Sequence, residues 1–145
     1  TTGQYEGNEE EVIIDQDIAV IGDYAFYGCT SLETITLPDS ITSMWGYTFQ
    51  GCSSLKQITL PAKVSAVDFS MFKDCVNLET VVLPDSINSI EYQAFSNCRS
   101  LKNIQLPQHG IFISKNAFSG CTSLFTPMQS TGLILTKTLS MAAAR

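Results

Sequence analysis

"AFYGCTSLETITLPDSI", residues 25–41, recurs along the chain at one fixed interval, with new copies beginning at positions 48, 71, 94 and 117. The copies read "TFQGCSSLKQITLPAKV" (48–64), "MFKDCVNLETVVLPDSI" (71–87) and "AFSNCRSLKNIQLPQHG" (94–110), and a last copy begins as "AFSGCTSL" (117–124). The same interval separates all five cysteines of the chain: Cys29, Cys52, Cys75, Cys98 and Cys121. A unit this short cannot bury its own apolar side, so the repeats are expected to stack into a solenoid with one continuous core.

The columns of the repeat predict which side chains face that core. In the first copy the inward positions are Ile21, Phe26, Cys29, Leu32, Ile35, Leu37 and Ile41. "LETITLP" (32–38) alternates apolar and polar residues and predicts a strand that ends at Pro38. "DYAFYGC" (23–29) is too short for a free helix and predicts a short helical turn closed by Gly28. The residue before each cysteine is of a type that tolerates a positive φ, which predicts a left-handed turn at that position. These residues are Gly28, Gly51, Asp74, Asn97 and Gly120.

The pattern "I-x-x-x-A-F-x-x-C-x-S-L-x-x-I-x-L-P-x-S-I" over roughly residues 9–128 resembles the BspA-like (Treponema pallidum type) leucine-rich repeat. The resemblance implies a strand-rich α/β solenoid of about five right-handed coils, each as long as one copy of the repeat. Its parallel strands would line the concave face, with short helical turns between them. It also implies a cell-surface or secreted protein of the adhesive kind, with no catalytic residue to carry over. A signal for export is not part of this chain.

The repeats define a single predicted domain, residues 1–145. An acidic flank covers 1–10, the repeats cover 11–128, and 129–145 is a cap or tail that matches nothing in the repeat. "PMQS" (127–130) stands where earlier copies carry the strand, so the fifth strand is expected to be spoiled or bent. For the tail, a capping segment, a truncation artefact and a disordered end remain open as interpretations.

The charge of the chain narrows the classes of partner. The net charge of −6 argues against nucleic acid and anionic membranes, and no apolar run is long enough to insert into a membrane. Residues 1–55 carry nine acids and no lysine or arginine, whereas residues 56–145 carry five acids and eight bases. This asymmetry is interpreted as sequence drift plus a solvated acidic terminus, with head-to-tail attraction between molecules as the alternative.

No catalytic, cofactor-binding or metal-binding site is predicted. One cysteine per repeat, with no repeated histidine, does not bring metal ligands together, and the cysteines are expected to be buried thiols. His109 lies between Gln108 and Gly110, with no nucleophile beside it, and is interpreted as a turn residue. The chain is therefore predicted not to be an enzyme.

Two surfaces remain as candidates for binding a protein ligand, such as a host matrix or surface protein. The strand face consists of the mostly polar positions that flank the inward residues of the strands: Thr34, Thr36, Gln57, Thr59, Thr80, Val82, Asn103 and Gln105. The aromatic cluster consists of rings in the connecting segments: Tyr24, Trp45, Tyr47, Phe69 and Tyr92. Rings of this kind are favoured anchors in interfaces, and the alternative is that they pack the back of the solenoid, as rings on long loops often do. The favoured function is a non-catalytic binding or adhesion module, and the alternative is a structural module that self-associates end to end.

Overall fold

The computed structural model describes residues 4–124 and the backbone of one further strand, Ile134–Leu135. The strands are short and follow one another along the chain in the order β1 (Glu11–Ile13), β2 (Val20–Ile21), β3 (Thr34–Thr36), β4 (Ser43–Met44), β5 (Gln57–Thr59), β6 (Ala66–Val67), β7 (Thr80–Val82), β8 (Ser89–Ile90), β9 (Asn103–Ile104), β10 (Phe112–Ile113) and β11 (Ile134–Leu135). Most of the expected tail, and the segment 127–130, lie outside the described residues.

All strand pairs are parallel, and their register follows the repeat. Thr80 of β7 lies between Gln57 of β5 and Asn103 of β9, which are the equivalent positions of the preceding and the following copy. The two-residue strands form a second set, in which Ser89 of β8 pairs with Ala66 of β6 and with Phe112 of β10. The prediction of stacked parallel strands is therefore confirmed. The ladder β6–β8–β10 also continues into β11, so part of the segment 129–145 pairs as a further strand.

The segments that were expected to form short helical turns are hydrogen-bonded turns, and no helix occurs within residues 4–124. In the first of these segments the amides alternate between two kinds of partner. Tyr27 donates to the carbonyl of Tyr24 within the coil, whereas Phe26 donates to the carbonyl of Thr48 in the next coil, at 2.8 Å. A helix would direct every amide back along its own segment and would remove the bonds that join neighbouring coils.

The core is a column of stacked side chains. Phe26, Phe49, Phe72, Phe95 and Phe118 lie face to face, with neighbouring ring centroids 5.3–5.5 Å apart and planes within 4–9°. The predicted inward columns of Cys, Leu and Ile are buried around them, although Leu37 and Leu83 are only partly buried. Each phenylalanine marks one level of the stack, called a rung below. Five rungs are separated by four intervals, so the described residues make about four turns, and the expected count of five coils is not confirmed.

Two columns of residues have a positive φ, and only one of them was visible in the sequence. The predicted column is confirmed at Gly28, Gly51, Asp74, Asn97 and Gly120, with φ between 63° and 80°. A second column lies four residues earlier in each coil and contains no glycine: Tyr24, Tyr47, Ser70, Gln93 and Asn116, with φ between 51° and 62°. A bulky residue in this region is strained, so the surrounding hydrogen bonds must hold it there.

We expect the same substitution to have different effects on stability at the two ends of the first positive-φ column, Gly28 and Gly120. A Cβ atom at Gly28 would meet nothing within 4 Å, and Asn tolerates the left-handed region, so Gly28→Asn should change the free energy of unfolding by less than about 1 kcal/mol. A Cβ at Gly120 would lie 2.6 Å from Oδ1 and 3.3 Å from Cα of Asn97. We therefore expect Gly120→Asn to cost about 1–3 kcal/mol in urea denaturation. Equal costs at the two positions would contradict this geometry.

Candidate functional site

The cysteines form an enclosed ladder rather than a reactive site. Each thiol from the second coil onward donates to the carbonyl of the phenylalanine 26 residues earlier; Cys75 Sγ, for example, lies 3.1 Å from the oxygen of Phe49. Burial raises the pKa of Cys52 and Cys121 to about 12, and it raises the pKa of Cys75 and Cys98 well above the usual 9.0. Because the thiolate is the nucleophilic form, these thiols are poorly reactive at neutral pH.

His109 joins two neighbouring coils. It occupies the column of Ser40 and Ser86, whose hydroxyls donate to carbonyls of the preceding coil. Its Nε2 lies 2.8 Å from the oxygen of Asp85, and its Nδ1 lies 3.0 Å from the oxygen of Gly110. Hydrogen bonds to these two carbonyls favour the doubly protonated ring and raise the pKa of His109 above 6.5. The side chain thus replaces a serine as a donor between coils, in agreement with its interpretation as a turn residue.

The remaining chemistry of the described residues is sparse. Within residues 4–124, no three histidine, cysteine or acidic side chains are grouped so that they could hold a metal ion. In the same part of the chain, no helix is long and apolar enough to span a membrane. The candidate sites that remain are the strand face and the aromatic cluster.

The strand face is polar and shallow. Its side chains point outward, and all are exposed apart from the half-buried Thr34. Two depressions of about 450 Å³ and 460 Å³ lie over neighbouring strand pairs, one over β3 and β5 and the other over β7 and β9. Val82 is the large apolar side chain among the predicted residues of this surface, and half of it is exposed. The strand face could accept polar contacts, but it offers few anchors.

The aromatic cluster lies on four successive coils and remains open to solvent. The rings belong to four three-residue segments that follow the short strands at equivalent positions of the repeat: 22–24, 45–47, 68–70 and 91–93. The side chains of Tyr24, Trp45, Phe69 and Tyr92 are 44–50% exposed. About half of each of these rings is thus covered by the solenoid and about half is accessible, which fits both the packing and the binding interpretation.

Two rings of the aromatic cluster are held in a fixed stack. Tyr24 and Tyr47 have centroids 4.7 Å apart and planes within 4°, and both lie in the second positive-φ column. Tyr27 adjoins the aromatic cluster, with an edge-on contact to Tyr24 at 5.4 Å and 41% of its surface exposed. Sequence reasoning missed Tyr27 because it lies one residue beyond the buried Phe26. Its column also holds Gln50 and Lys73, which are only partly buried, and these polar residues were a usable signal, although Ser96 in the same column is buried.

Comparison with known proteins gives one family. A model of the BspA type leucine rich repeat region matches residues 4–125 in six copies. No curated protein shows significant similarity to this sequence.

Solved structures of bacterial leucine-rich repeat proteins are similar to this chain. The leucine-rich repeat protein of T. pallidum is 28% identical, with a TM-score of 0.79, over 91% of this chain and 71% of that protein. One from Bacteroides ovatus ATCC 8483 is 31% identical, with a TM-score of 0.67, over 86% of this chain and 39% of the other. A leucine-rich cell surface protein from Faecalibacterium prausnitzii A2-165 is 25% identical, with a TM-score of 0.55, over 86% of this chain and 48% of that one. This chain thus spans less than half of the last two proteins.

Proposed function

The chain belongs to the BspA-type leucine-rich repeat family, and we propose that it is a non-catalytic module that binds a protein partner through the aromatic cluster. Repeats of this family are generally protein-interaction modules and are typically not enzymes. The exposed rings on successive coils are the observation that carries the proposal, because exposed Trp and Tyr side chains are the usual anchors of interfaces.

The backbone under the aromatic cluster supports this assignment. The second positive-φ column accepts Ser70 and Asn116, so the fold does not require a tyrosine at that position. Tyr24 and Tyr47 adopt the same conformation, although it is strained for a bulky side chain. Because every coil has a positive φ at this position whatever its residue, the strain belongs to the turn. The two tyrosines are there in spite of it, which fits a use of their rings in binding.

The proposed setting is a cell surface, with adhesion to a host matrix or surface protein as the biological role. One similar structure is described as a cell surface protein, and the family resemblance points to the same location. A rigid stack of coils suits this role, since a surface that is already ordered loses little conformational entropy when a partner binds.

Replacing the rings tests the proposal directly. We expect Trp45→Ala combined with Tyr47→Ala to weaken binding to purified matrix proteins in a surface plasmon resonance panel by about tenfold or more. The melting temperature should stay nearly unchanged, because Trp45 is half exposed and Tyr47 is only partly buried. The matched control, Gln57→Ala with Thr59→Ala on the strand face, should leave binding intact.

Two results would reject this assignment. A large loss of thermal stability in the Trp45 and Tyr47 variant would make the rings part of the core. A loss of binding only in the strand-face control would transfer the site to that surface.

Self-association is a second candidate, and the N-terminal end of the solenoid favours it. A depression of about 330 Å³ at this end is lined mainly by apolar residues of the first coil, among them Val12, Ile14 and Ile18. Tyr5 covers part of it by packing against Phe26, while Ile13 is 71% exposed. An open end of a stacked-coil protein is a site where another copy can continue the stack.

Size-exclusion chromatography across salt and protein concentrations separates this candidate from the first. Association through the N-terminal end should give a dimer or larger species whose fraction rises with concentration, and Ile13→Asp should reduce that fraction. A monomer under every condition would reject self-association and leave the aromatic cluster unaffected.

A further inference from the structure

The rungs of the aromatic cluster are joined by backbone hydrogen bonds, so their side chains keep a fixed spacing. The amide of Tyr24 donates to the carbonyl of Gly46, that of Tyr47 to Phe69, and that of Ser70 to Tyr92, at 3.2, 2.9 and 3.0 Å respectively. Neighbouring parallel strands lie about 4.8 Å apart, so four rungs extend over roughly 14 Å. An extended peptide of about five residues covers that length.

Carboxylates accompany the rings on three of the four rungs. Asp23 precedes Tyr24, Asp68 precedes Phe69, and Glu91 precedes Tyr92. Asp68 and Glu91 stand in the same column as Trp45, one and two coils further along. Rings and carboxylates thus form a mixed surface along these rungs. A Cβ atom at Gly46 would lie 3.7 Å from Cβ of Phe69 and 3.8 Å from Oδ1 of Asp23, so this carboxylate lies beside the neighbouring aromatic rungs.

Within the described residues, lysine and arginine do not neutralise these carboxylates. The ion pairs there join Lys56 to Glu33 and Lys102 to Glu79, away from the aromatic cluster. Asp68 accepts a hydrogen bond from the amide of Phe69, and Glu91 accepts one from the hydroxyl of Ser114. Both partners are neutral groups, so the negative charge of the surface persists.

The nearest bases lie at the margins of this surface. Lys73 donates to the side-chain oxygen of Gln93, at 3.2 Å, and Lys115 follows on the fifth rung. The first two rungs lie within residues 1–55, which carry nine acids and no lysine or arginine. Over these rungs three carboxylates outnumber the two lysines, so the aromatic cluster carries a net negative charge that favours a cationic partner.

We propose that the partner segment recognised by the aromatic cluster is an extended basic peptide, whose arginine or lysine side chains lie on the rings and pair with Asp23, Asp68 and Glu91. This inference rests on the proposed function and specifies the chemistry of its partner. A guanidinium can stack on an aromatic face while it donates to a carboxylate, so the mixed surface provides both interactions at once. A neutral segment would desolvate the carboxylates without pairing them.

Trp45 provides the test, because it is the one tryptophan in the chain and its fluorescence reports on this surface alone. Hexa-arginine is titrated into the full chain at about 20 mM and about 200 mM salt. We expect a saturable fluorescence change at low salt that weakens several-fold at high salt, since exposed charges are screened over roughly 10 Å.

Charge-neutral variants establish where the peptide binds. Asp68→Asn with Glu91→Gln should weaken the apparent Kd for hexa-arginine by about three- to tenfold, as expected for two ion pairs at half-buried carboxylates near the surface. The matched control, Asp39→Asn with Asp85→Asn, removes the same charge from exposed loops beside the strand face and should leave the Kd unchanged. Thermal unfolding of both variants, followed by circular dichroism, confirms that each is folded at the titration temperature.

Three outcomes would overturn the inference. These are no saturable change with hexa-arginine, an equal loss of affinity in both charge variants, and an equal response to a neutral Gly-Ser hexapeptide or to a linear glucose hexasaccharide. Failure of this inference can be told apart from failure of the proposed function. If matrix proteins bind in a Trp45-dependent manner while hexa-arginine gives no response, the binding role remains and only the basic partner is rejected.

Discussion

Raising the pH from 9 towards 12 should unfold this protein cooperatively, because four buried thiols keep their protons only in the folded state. Burial raises the pKa of Cys52 and Cys121 to about 12 and raises the pKa of Cys75 and Cys98 well above 9.0. Their stabilising contribution is fully present below pH 9. It is lost as the pH rises towards the folded-state pKa values, because the unfolded chain releases protons that the native chain retains.

The free energy of unfolding is expected to fall steeply with pH for a protein of this size, and this fall per pH unit is the slope discussed below. Each thiol that is protonated only in the folded state lowers the free energy of unfolding by roughly 1–1.5 kcal/mol per pH unit, so four together remove roughly 4–6 kcal/mol per unit. Single domains have stabilities of about 5–15 kcal/mol, and the transition is therefore expected between about pH 10 and 12.

Urea denaturation at a series of pH values, in the presence of a reductant, measures this slope. Cys75→Ser removes one fully buried titrating group and should reduce the slope by about a quarter. Cys29→Ser is the matched comparison. Burial raises the pKa of Cys29 too, but this thiol is the most exposed of the five, so its replacement should reduce the slope less than Cys75→Ser does. A slope that Cys75→Ser does not change would show that other groups cause the alkaline unfolding.

Phe72→Ala should cost about 3–5 kcal/mol of the free energy of unfolding, the usual range for a buried phenylalanine. The ring is fully buried between Phe49 at 5.5 Å and Phe95 at 5.3 Å. The coils above and below are held at a fixed spacing by backbone hydrogen bonds, so they cannot close over the cavity. We expect a value towards the upper end of the range for this reason.

Phe112→Ala provides the matched control for this experiment. Phe112 lies in β10 and is 44% exposed, so its removal should cost less than about 1 kcal/mol. Both variants are compared with the parent chain in the same denaturant titration. A cost below about 1 kcal/mol for Phe72→Ala would be incompatible with a stacked phenylalanine core.

The register of the solenoid could be predicted from the sequence because the core repeats the same side-chain shapes. Phe72 must fit between Phe49 and Phe95, and Cys75 must reach the carbonyl of Phe49, so a change of spacing would disturb several rungs at once. That requirement is visible in the chain as the constant interval between copies of the repeat. The family resemblance followed from the same columns.

The turn geometry could not be predicted in the same way. The segment 23–29 has a sequence that suits a helical turn, yet half of its amides bond to carbonyls in the next coil. The positive φ of Tyr24 and Tyr47 belongs to this arrangement, and no glycine marks it in the sequence. Local residue preferences do not specify a hydrogen bond whose partner lies in a different coil.

The residues of the candidate site show the same difference between what sequence and tertiary structure determine. The sequence by itself determined the inward columns, the parallel stacking and the presence of extra rings in the connecting segments. Only the tertiary structure decided that those rings remain exposed, that Tyr27 adjoins them, and that the carboxylates beside them stay outside the ion pairs of the described residues. The physical reason is that close packing inside the solenoid restricts every rung to similar residues, whereas the outer surface is set by which coils lie next to one another.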